Sequence, residues 1–469
     1  MSSEQDSKAR ATAVVDLLKS AFSGRVITPD KTSEYETQRD YPWYVQTCWA
    51  PAAAYIQPSS AQEVAEILAV IVKTGSKFAI RTGGHNPNSG FSSVDGAGIV
   101  IDLRQLNSLS LDKEKGALHV GAGSSWGDVY SYLEDNGLSA IGGRDTLVGL
   151  AGFLLGGGLP AFPNIHGTGA DGVRGLEVVL ADSSIITANV QDNKELYRAL
   201  KGGGSNFGIV TKFDLAVHPL IKVQSTINLY NPSDYPNIIR ATVKVQEAME
   251  ADPKIGLFTN FNAGFVAVGM LYADSPDEKP KVFDPFFDLT SLITAVAPTT
   301  NGTLLSLAKA MAHSTEPQKR KIGTVTTKVS YDLYLGVYEA WLDVTNKLSK
   351  NITLHFTVQP VSKAGAQAGE AQGGNTMGVE KVAQCYSNDA AASQAINTMT
   401  QRVEKLAREK DLYLDFLAMN FANSSQDVLR SYGAANVRKL QETAAKYDPN
   451  GVFQKLQNDG FLLRKTSKE

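Results

Sequence analysis

The chain has 469 residues, 43% of them hydrophobic and 20% charged, with a formal net charge of −3. That length allows two to three domains with sizeable cores, and the make-up is that of an ordinary globular protein. The charge leaves no basic footprint for nucleic acid or anionic membrane, and two distant cysteines, Cys48 and Cys385, exclude a cysteine-rich scaffold and read as free buried thiols.

The first residues are polar and carry no apolar h-region, so no signal peptide is expected and the protein reads as intracellular and cytoplasmic. Sequons at Asn301, Asn351 and Asn423 count only on a secretory route. The long uncharged run over 146–165 contains Gly149, Gly152, Gly156, Gly157, Gly158, Pro160 and Pro163. These would break a spanning helix, so no membrane segment is predicted.

Helices and strands alternate in the first half. Aromatic residues Tyr41, Trp43, Tyr44, Trp49 and Tyr55 come first and read as packing at a domain edge. Ser60-Ala61-Gln62-Glu63 is a capping box that opens an amphipathic helix through Val72, closed by Gly75. Strands are predicted over 77–80, 98–102 and 117–120. Ser125-Trp126-Gly127-Asp128 caps a further helix ending near Gly137. A hairpin is expected from 176–180 and 184–188 around Ala181-Asp182-Ser183, then a short helix over 195–201 and a strand over 208–217 that ends at His218-Pro219.

The texture changes after Pro219. Strands over 255–261 and 265–272 flank Asn262-Ala263-Gly264 as a hairpin, with helices over 236–250, 330–349 and 390–410 around it. The stretch 367–378, rich in Gly, Ala and Gln, reads as a loop, and a last helix over 433–446 stops before Pro449. This half reads as an α+β arrangement, an antiparallel sheet backed by helices.

Four glycine-rich elements stand out in the first 210 residues: Gly83-Gly84, Gly142-Gly143, the run Gly149 to Gly158, and Gly202-Gly203-Gly204. Gly167-Thr168-Gly169-Ala170-Asp171-Gly172 matches G-x-G-x-x-G but follows a Pro-Asn loop and leads into a strand, so a dinucleotide Rossmann site is not supported. There is no P-loop, no H-E-x-x-H and no C-x-x-C, which removes nucleotide-triphosphatase and metal readings. Gly123-Ser124-Ser125-Trp126-Gly127 matches a hydrolase elbow, but Ser125 reads better as a helix cap. The most informative stretch is Arg81-Thr82-Gly83-Gly84-His85-Asn86, where a strand runs into two glycines and then an imidazole. Bare backbone N–H groups can approach an anion there, and His85 can reach whatever that anion belongs to.

Arg81–His85, Gly149-Leu-Ala-Gly-Phe-Leu-Leu-Gly-Gly-Gly158, Gly169-Ala-Asp-Gly-Val173, Leu200-Lys-Gly-Gly-Gly-Ser-Asn-Phe-Gly-Ile-Val210 and Lys446-Tyr-Asp-Pro-Asn-Gly-Val-Phe453 occur in this order. As a set they resemble the berberine bridge enzyme-like FAD-linked oxidases of the vanillyl-alcohol oxidase/p-cresol methylhydroxylase superfamily. The resemblance spans about 40–220 and 410–455 and weakens over the middle. It implies a two-domain α+β flavoprotein, with an FAD-binding domain from 1–219 completed by 421–469 and a substrate domain over 220–420. It implies cofactor contacts from Arg81, Thr82, Gly83, Gly84, His85, Asn86, Gly143, Asp145, Thr146, Gly149, Gly152, Gly156, Gly208, Ile209 and Asn420.

In the family the histidine of this motif bonds the flavin 8α carbon, which here implies FAD attached covalently through His85; a histidine that only hydrogen-bonds the pyrophosphate loop is the plainer alternative. Many relatives add a second link through a cysteine whose matching position here is Asp145, so a single attachment is expected. Asp145 then either faces the ring edge or caps a turn, and the cap is the simpler reading. The family's Asn-Tyr pair, whose tyrosine serves as or assists the base, reads Asn420-Phe421, and a phenyl ring cannot take a proton. Candidate bases are His166, His355 and Tyr386, with Gln359, Tyr334 and Tyr413 behind them. The function implied is an FAD-dependent oxidoreductase, an oxidase passing hydride from a small organic substrate, such as an alcohol or secondary metabolite, to flavin N5 with molecular oxygen as acceptor. A dehydrogenase with another acceptor and a flavin protein steering non-redox cyclisation or isomerisation stay open beside it. No metal, nucleic-acid or membrane partner is expected, and the oligomeric state is not legible.

Overall fold

Period-two alternation builds the middle of this chain. In the computed structural model, which describes residues 2–41, 45–371, 373–390 and 393–466, strand Ile255–Phe261 sends Leu257 and Phe261 to one face, while Phe258 and Asn260 face the other. Strand Phe356–Val361 does the same, with Phe356 and Val358 inward and Thr357 and Gln359 on the opposite side. The inward faces pack on helices Tyr235–Ala248, Tyr331–Thr345 and Ser393–Glu409 through Ile238, Val245, Val337, Trp341, Ile396 and Met399. The opposite face is left for a cavity.

These strands belong to an eight-stranded antiparallel sheet. Its order is Leu292–Thr303, Lys222–Tyr230, Val266–Tyr272, Ile255–Phe261, Phe356–Val361, Gln384–Ala390, Ile322–Lys328, Tyr413–Leu414. The predicted hairpin is there, with Phe261 opposite Val266.

The first half holds two smaller sheets. Val26–Ile27, Ala54–Ile56, Gly98–Asp102 and Lys77–Arg81 form one in that order, its last three strands parallel. Gly98–Asp102 is buried along its whole length, as expected of a parallel strand covered on both faces. The second sheet is antiparallel, in the order Leu109–Asp112, Ala117–Gly121, Ile209–Ala216, Val173–Val179, Ile185–Asn189. Ser60 caps helix Ala61–Thr74 by accepting from Glu63 N, and Gly75 closes it at φ +64°. Ser125 caps Trp126–Glu134 in a full capping box with Asp128, so the elbow reading of this serine gives way to the cap.

The end of the chain returns to the first half. Leu456 O accepts from Phe78 N at 3.1 Å and Asn458 N donates to Phe78 O at 2.7 Å, which lays the returning segment beside Lys77–Arg81. Asn88 Nδ2 donates to Ala422 O, and Leu463 N donates to Asn206 Oδ1.

One expectation is corrected. Part of the predicted loop over 367–378 is helical, in Lys363–Ala371. Its glycines are contact positions: a Cβ on Gly365 would lie 3.1 Å from Pro163 O, and one on Gly369 would lie 2.7 Å from an Asp171 carboxylate oxygen. The twelve-residue strand Leu292–Thr303, mostly exposed at the sheet edge, was not anticipated. Trp43 and Tyr44 of the expected aromatic cluster lie outside the described residues; Tyr55 is buried edge-on to Tyr35.

Arg81 closes the base of the glycine turn from behind. It is buried, donates to Asp102 Oδ2 through Nε at 3.0 Å and Nη2 at 2.6 Å, and donates through Nη1 to Gln38 O at 2.7 Å. Burial alone would raise the Asp102 carboxyl, but Arg81 and Arg104 hold it below the usual carboxylate range. Asp102→Ala is expected to leave the Arg81 guanidinium buried and uncompensated, at a cost of about 3–5 kcal/mol of unfolding free energy in denaturant titration. A loss under 1 kcal/mol would contradict this role.

Candidate active site

Two glycine backbones meet where the turn after strand Lys77–Arg81 reaches the glycine run. A Cβ on Gly83 would stand 2.5 Å from Gly149 N, and one on Gly149 would stand 2.5 Å from Gly83 N, so neither position accepts a side chain unless the turns separate. Gly84 follows at φ +63°. Past this contact opens a cavity of about 630 Å³. The volume is within the roughly 300–1,000 Å³ range of small-molecule and cofactor sites.

Of the residues expected to touch a cofactor, Thr82, Gly83, Gly84, His85, Asn86, Gly143, Asp145, Gly149, Gly152, Gly156, Gly208, Ile209 and Asn420 line this cavity. Arg81 and Thr146 do not. Arg81 is spent on Asp102 and Gln38, and Thr146 faces Gly127, whose N–H donates to Thr146 O at 2.9 Å. Asn420 pins the glycine run: its Oδ1 accepts from Gly158 N at 2.9 Å and its Nδ2 donates to Gly152 O at 3.1 Å.

The sheet supplies the facing wall with Ile227, Phe258, Asn260, Thr357 and Gln359, joined by His355 and Ile322. Phe421 lines the cavity beside Asn420. His85 is half-buried at the wall with its Nδ1 shielded from solvent, and burial, His313 and Arg320 push its imidazole well below the ordinary histidine value, against the opposing pull of Asp145. It is a neutral imidazole at neutral pH, the form with a nucleophilic nitrogen.

Asp145 caps a turn, as the simpler reading has it, with Oδ1 accepting from Leu147 N at 2.8 Å. It also makes a bond that no sequence pattern signalled. Its Oδ2 accepts from His313 N at 2.9 Å and sits 2.7 Å from His313 Nδ1. Burial alone would raise the Asp145 carboxyl; the bonds from His313 and Leu147 more than offset that and keep it low. The His313 and His85 rings meet edge to face, with centroids 5.9 Å apart. His313 comes from the middle of the chain, where the sequence shows no motif, so only the fold brings it to the flavoprotein motifs.

The candidate bases separate. His355 lines the cavity, and burial, then Arg320 and His313, lower its pKa. His166 lies outside the cavity wall and stacks on His218, with centroids 3.7 Å apart and planes 16° off parallel. The chain after the glycine run turns away through helix Pro163–His166 and carries the ring with it. Tyr386 stands in strand Gln384–Ala390 opposite Gln359, and its side chain lies outside the described residues. Tyr334 is buried in the helix-backed core and donates to Gln246 Oε1 at 3.0 Å, and Tyr413 lies under Arg408 at 3.7 Å. Gln359 is at the cavity, where it accepts from Arg144.

Comparison with known proteins agrees with this geometry. The family described as FAD binding domain matches residues 52–189. An FAD-dependent monooxygenase of Arthrobotrys oligospora is 35% identical over 440 residues, covering 92% of this chain and 86% of the relative. Among solved structures, a berberine bridge enzyme-like protein of Physcomitrella patens superposes at TM-score 0.77 with 18% identity, covering 95% of this chain and 99% of the other. The xylooligosaccharide oxidase of Myceliophthora thermophila superposes at 0.79 with 19% identity, covering 96% and 100%. The fold and the cavity thus define an FAD-dependent oxidoreductase. The chain belongs to the family of FAD-binding proteins that includes this monooxygenase, and it has the fold of the berberine bridge enzyme-like protein and the xylooligosaccharide oxidase. Among the described residues no helix is long and apolar enough to cross a membrane.

The His166–His218 stack has a measurable signature. Burial, His166 and Arg174 push His218 down to about 4, while an unfolded histidine titrates near 6.5. The unfolded chain therefore takes up the proton first on acidification, and stability falls as pH drops from about 6.5 toward 4. His218→Gln is expected to flatten that part of a melting-temperature profile against pH; an unchanged slope would overturn the assignment.

Proposed function

We propose that the cavity holds FAD bonded singly through His85, and that the protein oxidises an activated C–H of a small organic molecule. Residues 1–219 and 421–469 would form the cofactor domain and 220–420 the substrate domain. The observation that carries this reading is the half-buried, neutral imidazole of His85, opening on the cavity directly after the Gly83–Gly149 contact. Asp145 supports the single attachment, because a carboxylate held by His313 and Leu147 makes no thioether. FAD, when bound, supplies the two-electron acceptor for hydride from the substrate carbon, with molecular oxygen as the final acceptor.

The chain contributes position and proton handling. Asn420 fixes the glycine run against the site, and Phe421, at the position where the resembled family often carries a tyrosine, presents an apolar ring. His355 is the residue we assign to take the proton of a substrate hydroxyl as its C–H is broken. It lines the cavity, and its lowered pKa leaves it neutral and able to accept at neutral pH.

Purified protein should keep its yellow colour after acid precipitation, and His85→Ala should release all of it while native His85→Ala protein still binds FAD. Release of the flavin from the unsubstituted protein would remove the covalent assignment. Anaerobic mixing with a turned-over substrate should bleach the flavin, and His355→Gln should slow that bleaching by about 10²–10⁴-fold. Turnover without bleaching would point to the non-redox reading instead. The Arthrobotrys oligospora relative is named a monooxygenase, which favours a second outcome. In it one atom of dioxygen enters the product and the other leaves as water, the two electrons coming from the substrate's own C–H by way of the flavin, and labelled dioxygen followed by product mass separates it from simple oxidation.

A further inference from the structure

The cavity wall carries more cationic side chains than carboxylates. Arg144, Arg320 and Lys321 stand against Asp145 and Asp459. Both carboxylates are already engaged, Asp145 by His313 and Leu147, and Asp459 by Lys465 and Gly460 N. Arg144 is the informative cation. Its Nη2 donates to the neutral Oε1 of Gln359, and its guanidinium lies 6.0 Å from the centre of the Phe421 ring. Among the described residues Nε and Nη1 have no acceptor and no carboxylate pairs with the group. Burial alone pushes it down to about 10, a low value for a guanidinium. A part-buried cation with no carboxylate partner among the described residues is a costly arrangement for a protein to keep.

Two of its neighbours are fixed. Gln359 is held in the strand Phe356–Val361, and Phe421 follows the Asn420 that pins the glycine run. The guanidinium lines the cavity with Nε and Nη1 unengaged among the described residues, beside an apolar surface of Phe421, Phe258 and Ile227. That combination matches a planar oxyanion on an apolar body.

We propose that Arg144 is the residue that selects the substrate of this site, by pairing with a carboxylate carried on an apolar or aromatic frame. The proposal rests on the reading that the cavity takes its substrate beside FAD. Gln359 orients the fork by accepting from one arm, and the carboxylate takes the other donors. The substrate anion then supplies the counter-charge that the protein leaves out.

The test uses the flavin-loaded protein and two probes of nearly equal shape, benzoate and benzamide, followed by the change in the visible flavin spectrum on titration. Benzoate is expected to bind saturably and more tightly than benzamide. Arg144→Gln should weaken benzoate about tenfold or more and leave benzamide unchanged, and Arg144→Lys should recover part of the loss. Bound flavin and melting temperature report whether each variant is folded. Equal affinity of benzoate for the unsubstituted protein and Arg144→Gln, or no benzoate binding at all, overturns the proposal. So does a fall in flavin midpoint potential in Arg144→Gln with benzoate affinity unchanged, because the arginine would then serve the flavin itself. Binding and turnover are read separately: intact benzoate selectivity in a protein whose flavin no substrate reduces removes the hydride-transfer reading alone.

Discussion

Gly83 and Gly149 lie so close that each occupies the space of the other's missing side chain. Much of the site depends on that approach. It sets the turn after Lys77–Arg81 against the start of the glycine run, and so fixes where His85 emerges. Arg81 holds the turn from behind through Asp102, and Asn420 holds the run from the other side. Backbone contact of this kind has no flexible side chain to absorb an error, so the wall is positioned by parts that cannot repack.

The opposite wall is made by a different rule. Strict alternation in Ile255–Phe261 and Phe356–Val361 gives one face to the helices and the other to the cavity. The site is therefore a junction between two hydrophobic cores. The Asp145–His313 bond crosses it, tying the glycine-rich half to a segment that follows helix Leu304–Ala310. His85 is held neutral by its surroundings on both sides, by burial in one half and by His313 and Arg320 from the other.

Much of this was legible in the sequence, and the reason differs by element. Helix Ala61–Thr74 carries its own start and stop in Ser60 and Gly75, and strand Gly98–Asp102 is a continuous apolar run, so local chemistry decides both. The glycine motifs mark the cavity because their spacing reflects backbone contact. What the sequence hid depends on long-range packing. Gly369 looks like a loop residue until Asp171 is seen against it. His313 and Arg320 carry no motif and reach the site only through the fold. Arg144 stands next to Asp145 in plain view, and only the fold shows that no carboxylate pairs with it among the described residues. His166 followed the glycine run closely, yet a short helix turned it onto His218.

The pairing of Leu456 and Asn458 with Phe78 has a consequence in time. Strand Lys77–Arg81 leads directly into the glycine turn, and its free edge is covered by residues made almost four hundred positions later. During synthesis from the N-terminus this edge waits, and with it the turn that presents His85. Asn420 and Phe421, which close the same wall, also arrive late. The wall of the pocket is thus completed only once residues 420–458 have been made, and a chain that stops short of them lacks part of it.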